Sequence, residues 1–476
     1  MDNPMLHPWL EFSPEEMRSF GYRVIDMLVE HFDQVRDKPV TRRASRISLE
    51  RSLREPIPEQ GTEVNEVLEQ LQQDVFCHIM HLDSPRFFAF VPSPSNFASV
   101  MAETLATGFN IFAGTWLEAS GPAQVEIVTL DWLRQLCGMP DTTGGLFVSG
   151  GSVANLTALA TARHMRLRDT VQNATVYFSD QTHSSIERAL HILGFDSTQM
   201  RNIPCDDQFR IPLDILQHMV NADRASGLQP FCVVANAGTV NTGAIDPLPE
   251  LARFCREEGM WLHIDGAYGA AAALSNQGKA WLQGLEHADS LTLDPHKWLF
   301  QPYEIGCVLV RDGQWLRETF HILPAYLQDI ASAEHEVNFC DYGIQLTRKF
   351  NALKLWMSLK IFGLAAFRHA IERGIALAEA AEAMLRLSPR WEVVTPAQIG
   401  IVTFRYVVPG YNDAALDSLN HLLLERMMVD GFAMLSSTVL RGKTVLRLCT
   451  INPRAREADI QETLARLERF AEGIHL

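Results

Sequence analysis

The sequence predicts an α/β fold: a mostly parallel, seven-stranded sheet, an N-terminal helical segment and a small C-terminal α+β domain. Three observations carry that expectation. Residues 1–85 are helical and connective, residues 86–355 alternate short apolar runs with longer helical ones, and residues 356–476 change to a mixed pattern. Short apolar strands separated by helices are buried on both faces, which makes them parallel and helix-covered.

In chain order, Ser13-Pro14-Glu15-Glu16 predicts a helix start, with Ser as N-cap, Pro at the first helical position and Glu at N3. Phe20, Val24, Met27, Leu28 and Phe32 continue it at helical spacing. A polar stretch with Pro39, Pro56, Pro58 and Gly61 separates it from a second amphipathic helix over residues 63–80. This segment has too little apolar surface to fold alone, so it is expected to pack on the rest of the chain or on a second subunit. Seven strands follow at 146–148, 175–178, 200–203, 231–235, 261–264, 290–293 and 307–310, with helices at 152–168, 184–194, 212–225 and 247–258. The third region reads as a long helix over 354–387, strands at 393–395, 402–407 and 444–449, and helices at 413–430 and from 457.

Composition narrows the function classes. The chain has 476 residues, 47% hydrophobic and 21% charged, with a net charge of −16. An acidic balance argues against nucleic acid or an anionic membrane as partner, because both reward clustered Lys and Arg. No apolar window is long enough for a transmembrane helix. The first residues have no basic stretch followed by an apolar one, so the expected compartment is the cytoplasm. The eight cysteines are scattered without metal-ligand spacing, so reduced thiols are expected and no metal.

Four short segments carry chemistry. Lys297 follows the strand at 290–293 through Asp294-Pro295-His296. An arbitrary lysine is a solvated surface charge. One at the end of a central strand points into the crevice where parallel sheets bind ligands, where a partly desolvated amine can form an imine. Asp265 ends the strand at 261–264, and a buried carboxylate there needs a partner. A protonated pyridine nitrogen is one; a turn cap is the bland alternative. Ala267 is small enough to lie against a ring. Gly150-Gly151-Ser152 joins a strand to a helix start, where backbone N–H groups and the dipole favour phosphate. His183 lies in a polar loop between a strand and a helix.

The order of anion turn, His, Asp and Lys on successive strands resembles the group II pyridoxal-phosphate decarboxylases of fold type I, especially the aromatic-L-amino-acid decarboxylase branch. Pro295-His296-Lys297-Trp298 is the most specific motif, with His263-Ile-Asp-Gly-Ala267 and Asp180-Gln-Thr-His-Ser-Ser185 beside it. The resemblance runs from Phe20 to Pro453. It implies a pyridoxal 5′-phosphate cofactor held as a Schiff base on Lys297. Asp265 would pair with the pyridine nitrogen, Ala267 and His183 would flank the ring, and Thr239 would sit near it. Gly151 and Ser152 would bind the phosphate with help from His296. The family often has Ser or Ala at positions 150 and 151, and Asn at position 294, where this chain has Gly150, Gly151 and Asp294.

The resemblance also separates reaction types. Tyr326 matches a loop tyrosine that supplies the proton completing simple decarboxylation; aldehyde-synthase members have Phe there. A transaminase would hold the substrate carboxylate with an arginine, for which Arg447 is a candidate. A non-catalytic homologue is disfavoured by the presence of Lys297, Asp265 and His183. The implied side-chain pocket comprises Leu82, Phe90, Val91, Ser93, Phe112 and Gly114, some of them from a second subunit of a homodimer. Animal relatives have Trp at position 82 and Phe at position 114, where this chain has Leu82 and Gly114, and Phe112 is expected to compensate by filling the same space from the other side. A mostly apolar lining fits an aromatic amino acid better than glutamate, cysteine sulfinate or 2,4-diaminobutyrate.

Overall fold

A computed structural model describes residues 10–322 and 335–474. All seven expected strands of the large domain form: β1 (Gly144–Val148), β2 (Ala174–Ser179), β3 (Met200–Ile203), β4 (Gln229–Asn236), β5 (Trp261–Asp265), β6 (Ser290–Leu293) and β7 (Gly306–Val310). Their order across the sheet is β1-β7-β6-β5-β4-β2-β3. Only β7 runs against the others, pairing antiparallel with both β1 and β6. The remaining six therefore end on one edge, and the loops after β1, β2, β4, β5 and β6 all open there.

Burial explains why these segments are strands. β2, β5, β6 and β7 are buried at every position, and their Val, Ile, Leu, Cys and Trp side chains form one core with the covering helices. The helix Gly151–Leu167 crosses behind the sheet, with Ala154, Ala158 and Ala162 fully buried. Small residues on that face let the helix approach the strands closely.

The smaller domain is a four-stranded antiparallel sheet, ordered β10-β11-β9-β8 from β8 (Trp391–Gln398), β9 (Ile401–Tyr406), β10 (Ser436–Leu440) and β11 (Lys443–Cys449). The helices Asp413–Asp430 and Glu457–Glu472 pack on it. The helix Ala352–Arg386 spans the two domains and kinks at Gly363, whose φ is +74°. Its length makes the domain limit near residue 355 a point inside one helix.

Several expectations change. Residues 86–90, assigned from sequence to the large domain, pair with the small one: Phe88 N–H donates to Met434 O, and Cys449 N–H donates to Phe88 O. The helix expected over 63–80 is α-helical only over Val64–Gln70, then continues as a π turn at Leu71–Val75 and a 3₁₀ turn at Phe76–His78. A further helix, Arg46–Leu53, interrupts the polar stretch. The first helix has the expected capping box on Ser13 and Glu16, and none of its residues is buried within one chain. No described helix is long and apolar enough to cross a membrane.

Candidate active site

The carboxyl edge of the large sheet holds a cavity of about 380 Å³. Its wall contains all eight residues expected around the cofactor: Gly151 and Ser152 after β1, His183 after β2, and Thr239 after β4. Asp265 and Ala267 follow from β5, and His296 and Lys297 from β6. Each side chain arrives there because its strand runs parallel to its neighbours and ends at the same level.

Lys297 Nζ stands 3.2 Å from Asp294 Oδ2, its side chain partly exposed to the cavity. Asp294 is buried, and its Oδ1 has no hydrogen-bond partner among the described residues. The two departures from the family pattern touch each other. A Cβ on Gly151 would come within 2.7 Å of Asp294 Oδ2, so glycine makes room for this carboxylate. His296 Nδ1 accepts from the Ile305 N–H at 3.4 Å, and burial lowers the pKa of the ring. Trp298 stacks on Tyr268 with centroids 5.4 Å apart and planes 4° from parallel. That contact ties the lysine loop to the aspartate loop.

Asp265 is buried, and no side-chain cation pairs with it among the described residues. Its Oδ1 accepts from the Ala267 N–H at 3.1 Å and its Oδ2 from Asn155 Nδ2 at 3.0 Å. A carboxylate this enclosed, donor-supported and without a cation suits a protonated ring nitrogen. The other parts match the rest of the same ligand: a glycine turn at a helix N-terminus for the phosphate, and an amine for its aldehyde. The residues present therefore fit pyridoxal 5′-phosphate.

His183 is exposed at the cavity wall, and partial desolvation of its ring lowers its pKa. Its Nδ1 accepts from the Ser185 N–H at 3.3 Å and lies 2.8 Å from Ser185 Oγ. With Nδ1 an acceptor, the ring proton of the neutral form is on Nε2. Thr239 is buried, its hydroxyl 2.9 Å from that of Thr242.

The residues expected to bind the substrate side chain do not line this cavity in one chain. Leu82 packs with Val40, Phe87, Ala89 and Met434. Phe90 is 57% exposed at the domain junction with φ +48°, and Val91 packs on the main core. Ser93 is buried and donates its hydroxyl to His296 O, which props the lysine loop from behind. The ring of Phe112 lies over Gly114, where a Cβ would come within 2.5 Å of Cε1 and Cζ. Arg447 is buried, donates to the Phe90 carbonyl and also stays outside the cavity. Tyr326 lies outside the described residues. One trio with metal-ligand chemistry comes together among the described residues, His31, His81 and Asp83, and it is not part of the cavity.

Sequence reasoning passed over Asn155 and Ser185, which hold Asp265 and His183 in place, and Tyr268, which carries Trp298. The signal for Asn155 was present: it lies one helical turn after Gly151, on the same face, amid Val153, Ala154 and Leu156. A lone amide in an apolar helix face needs a buried partner.

The pyridoxal-dependent decarboxylase conserved domain matches residues 48–407. An aromatic-L-amino-acid decarboxylase of Bacillus atrophaeus is 49% identical over 471 residues, 98% of each chain. A phenylacetaldehyde synthase of Arabidopsis thaliana is 31% identical, with 94% of each chain covered. The crystal structure of Oryza sativa TDC with PLP and tryptamine superposes with a TM-score of 0.93 at 28% identity, covering 97% of this chain and 99% of that one. With this likeness spanning both domains and a cavity shaped for the cofactor, the chain belongs to the family of pyridoxal 5′-phosphate-dependent amino-acid decarboxylases.

Proposed function

We propose that the protein converts an aromatic L-amino acid (tryptophan, tyrosine, phenylalanine or DOPA) to its amine and carbon dioxide. The observation that carries the substrate reading is the 49% identity, over nearly the whole of both chains, to an enzyme named for aromatic substrates. The Phe112 ring laid over Gly114 supports it as an apolar surface of the kind an aromatic side chain prefers.

Bound pyridoxal 5′-phosphate supplies an imine link and a conjugated ring that takes up the electron pair left when carbon dioxide departs. The chain's own residues then divide the work. Lys297 Nζ would hold the cofactor through an imine. Asp265 keeps the ring nitrogen protonated, His183 and Ala267 confine the ring between them, and Thr239 stands beside it. Gly151 and Ser152 grip the phosphate at the helix N-terminus, with His296 alongside. The Tyr326 hydroxyl delivers the proton to Cα that completes the amine. Replacing it, as Tyr326→Phe, is expected to lower amine output and to yield aldehyde, ammonia and hydrogen peroxide from the substrate, oxygen and water. Unchanged amine output would remove Tyr326 from this role.

The working unit is proposed to be a homodimer in which Phe112 and Gly114 reach the partner's cavity, since neither lines the cavity of its own chain. The cytoplasm is the proposed compartment, in keeping with eight free thiols. The deciding experiment offers the purified holoenzyme the aromatic amino acids beside glutamate, cysteine sulfinate and 2,4-diaminobutyrate. Carbon dioxide, amine and keto acid are measured. Amine from aromatic substrates without keto acid is expected; preference for an acidic or diamino substrate would overturn the reading.

A further inference from the structure

Asn155 is almost fully buried in the wall of the cavity, on the first turns of the helix whose N-terminus carries Gly151 and Ser152. All four of its side-chain hydrogen-bonding positions are used. Nδ2 meets Asp265 Oδ2 at 3.0 Å and Ser185 Oγ at 2.9 Å, and Oδ1 meets His263 Nε2 at 3.0 Å and Thr292 Oγ1 at 2.7 Å.

The direction of every bond in this set follows from one fact. The Asp265 carboxylate can only accept, so the amide nitrogen faces it and the amide oxygen faces β5 and β6. Thr292 and His263 must then donate to Asn155 Oδ1, which puts the His263 proton on Nε2 and leaves Nδ1 bare. Ser290 Oγ, 2.9 Å from that Nδ1, donates to it and accepts from the Trp261 indole N–H at 2.9 Å. On the other side, Ser185 Oγ accepts from Asn155 and so directs its own proton to His183 Nδ1. The donors thus run one way, from Trp261 through Ser290, His263 and Asn155. There the chain divides, one branch ending on the Asp265 carboxylate and the other on the His183 ring.

We propose that Asn155 is a positioning residue that joins Asp265 and His183 into one hydrogen-bonded unit and so sets the protonation of the cofactor's ring nitrogen. Among the described residues Asp265 has two protein donors, Asn155 and the Ala267 N–H. Removing Asn155 leaves a buried carboxylate with one donor, which makes that oxygen more basic. The proton shared with the ring nitrogen then moves toward Asp265, and the ring becomes a weaker electron acceptor. The same loss frees the Ser185 hydroxyl to turn away from His183, so the ring face loses its fixed neighbour. Neither Asp265 nor His183 needs to move for this to happen.

The test uses Asn155→Leu, which fills the space without donors, and Asn155→Ser, which tolerates the fold better but cannot span both partners. Thr161→Val is the control on the same helix; that hydroxyl bonds only its own helix, at Thr157 O. Each protein is loaded with cofactor labelled with nitrogen-15 in the ring, and the resonance of that nitrogen is read without substrate. Cofactor affinity of each apoprotein is measured alongside. Wild type and Thr161→Val are expected to show a protonated ring nitrogen. Both Asn155 variants should shift toward the unprotonated position and bind cofactor about 10- to 100-fold more weakly, the range for losing a hydrogen bond to a charged group. A wild-type ring resonance in a folded Asn155 variant would overturn the proposal, whether or not affinity falls, because the residue would then be structural only.

Discussion

His263 is fully buried between Ser290 and Asn155, and burial holds its imidazole down at about 4, against 6.5 for the free side chain. The unfolded chain binds this proton below 6.5, whereas the folded one refuses it until about 4. The histidine's contribution is therefore intact above pH 6.5 and is lost as pH falls toward 4. At pH 5 the loss comes to about 2 kcal/mol. Urea unfolding of the apoprotein at pH 7 and pH 5 checks this. The wild type should lose about 2 kcal/mol more between the two than His263→Gln does. Equal losses would mean that His263 is not the acid-sensitive group. At this scale the sequence was informative about groups that project from strand ends. Asp265 directly follows an apolar run, and Lys297 and His183 follow theirs through the short loops 294–296 and 179–182. Asn155 is marked in the sequence only as a lone amide on an apolar helix face; its partners were not legible, because they lie 110 and 30 residues away along the chain and nothing local reveals the pairing.

At the scale of elements, β7 alone opposes its neighbours, and it starts against the phosphate turn. A Cβ on Gly306 would come within 2.5 Å of Gly150 Cα and 2.8 Å of Asp294 Oδ1. Backbone cannot yield as a side-chain end can, so Gly306→Ala must push the Gly150 turn outward or displace Asp294. Overpacking of this kind costs about 1–3 kcal/mol. The expected outcome is a lower urea midpoint together with weaker cofactor binding, read on the apoprotein by fluorescence titration. A loss of stability with unchanged affinity would show that the turn does not depend on β7. The same contacts explain what the sequence could and could not reveal about elements. Most of the large-domain strands are legible because burial on both faces makes them nearly continuous apolar runs; the edge strand β3, buried only at Ile203, is the exception. β10 was missed because Ser436-Ser437-Thr438 is polar and only Leu440 of the strand is buried. It exists through its hairpin with β11, closed by Arg441 and Gly442 in left-handed conformations. Residues 86–90 were misassigned for a related reason: their apolar character announces burial but not which of two cores receives them.

At the scale of the whole molecule, Phe112 and Gly114, proposed for the substrate pocket, stand away from the cavity of their own chain. Arg348 fixes that segment in place: its guanidinium donates to Ala113 O at 2.9 Å, to Phe147 O at 2.9 Å and to Glu126 at 2.6 Å, with both charged groups buried. A segment clamped to β1 by a buried ion pair does not swing across its own sheet. Around it, Phe109 and Leu117 are 77% and 72% exposed, an apolar surface of the kind that a second subunit covers. If Phe112 serves the partner's cavity, two defective chains can repair each other. A Lys297→Ala chain lacks the cofactor link but offers an intact Phe112, and a Phe112→Asp chain has the reverse defect. Each homodimer should be inactive toward an aromatic substrate. In the mixed dimer, one of the two cavities combines Lys297 from one chain with Phe112 from the other. Random pairing of equal amounts makes half the dimers mixed, each with one sound site, so about a quarter of wild-type activity should return. Co-expression with two different tags, followed by purification through both, isolates the mixed dimer, which should show about half of wild-type activity. If Phe112 instead serves its own chain, no cavity in any pairing holds both residues, and activity stays at the level of the two inactive parents.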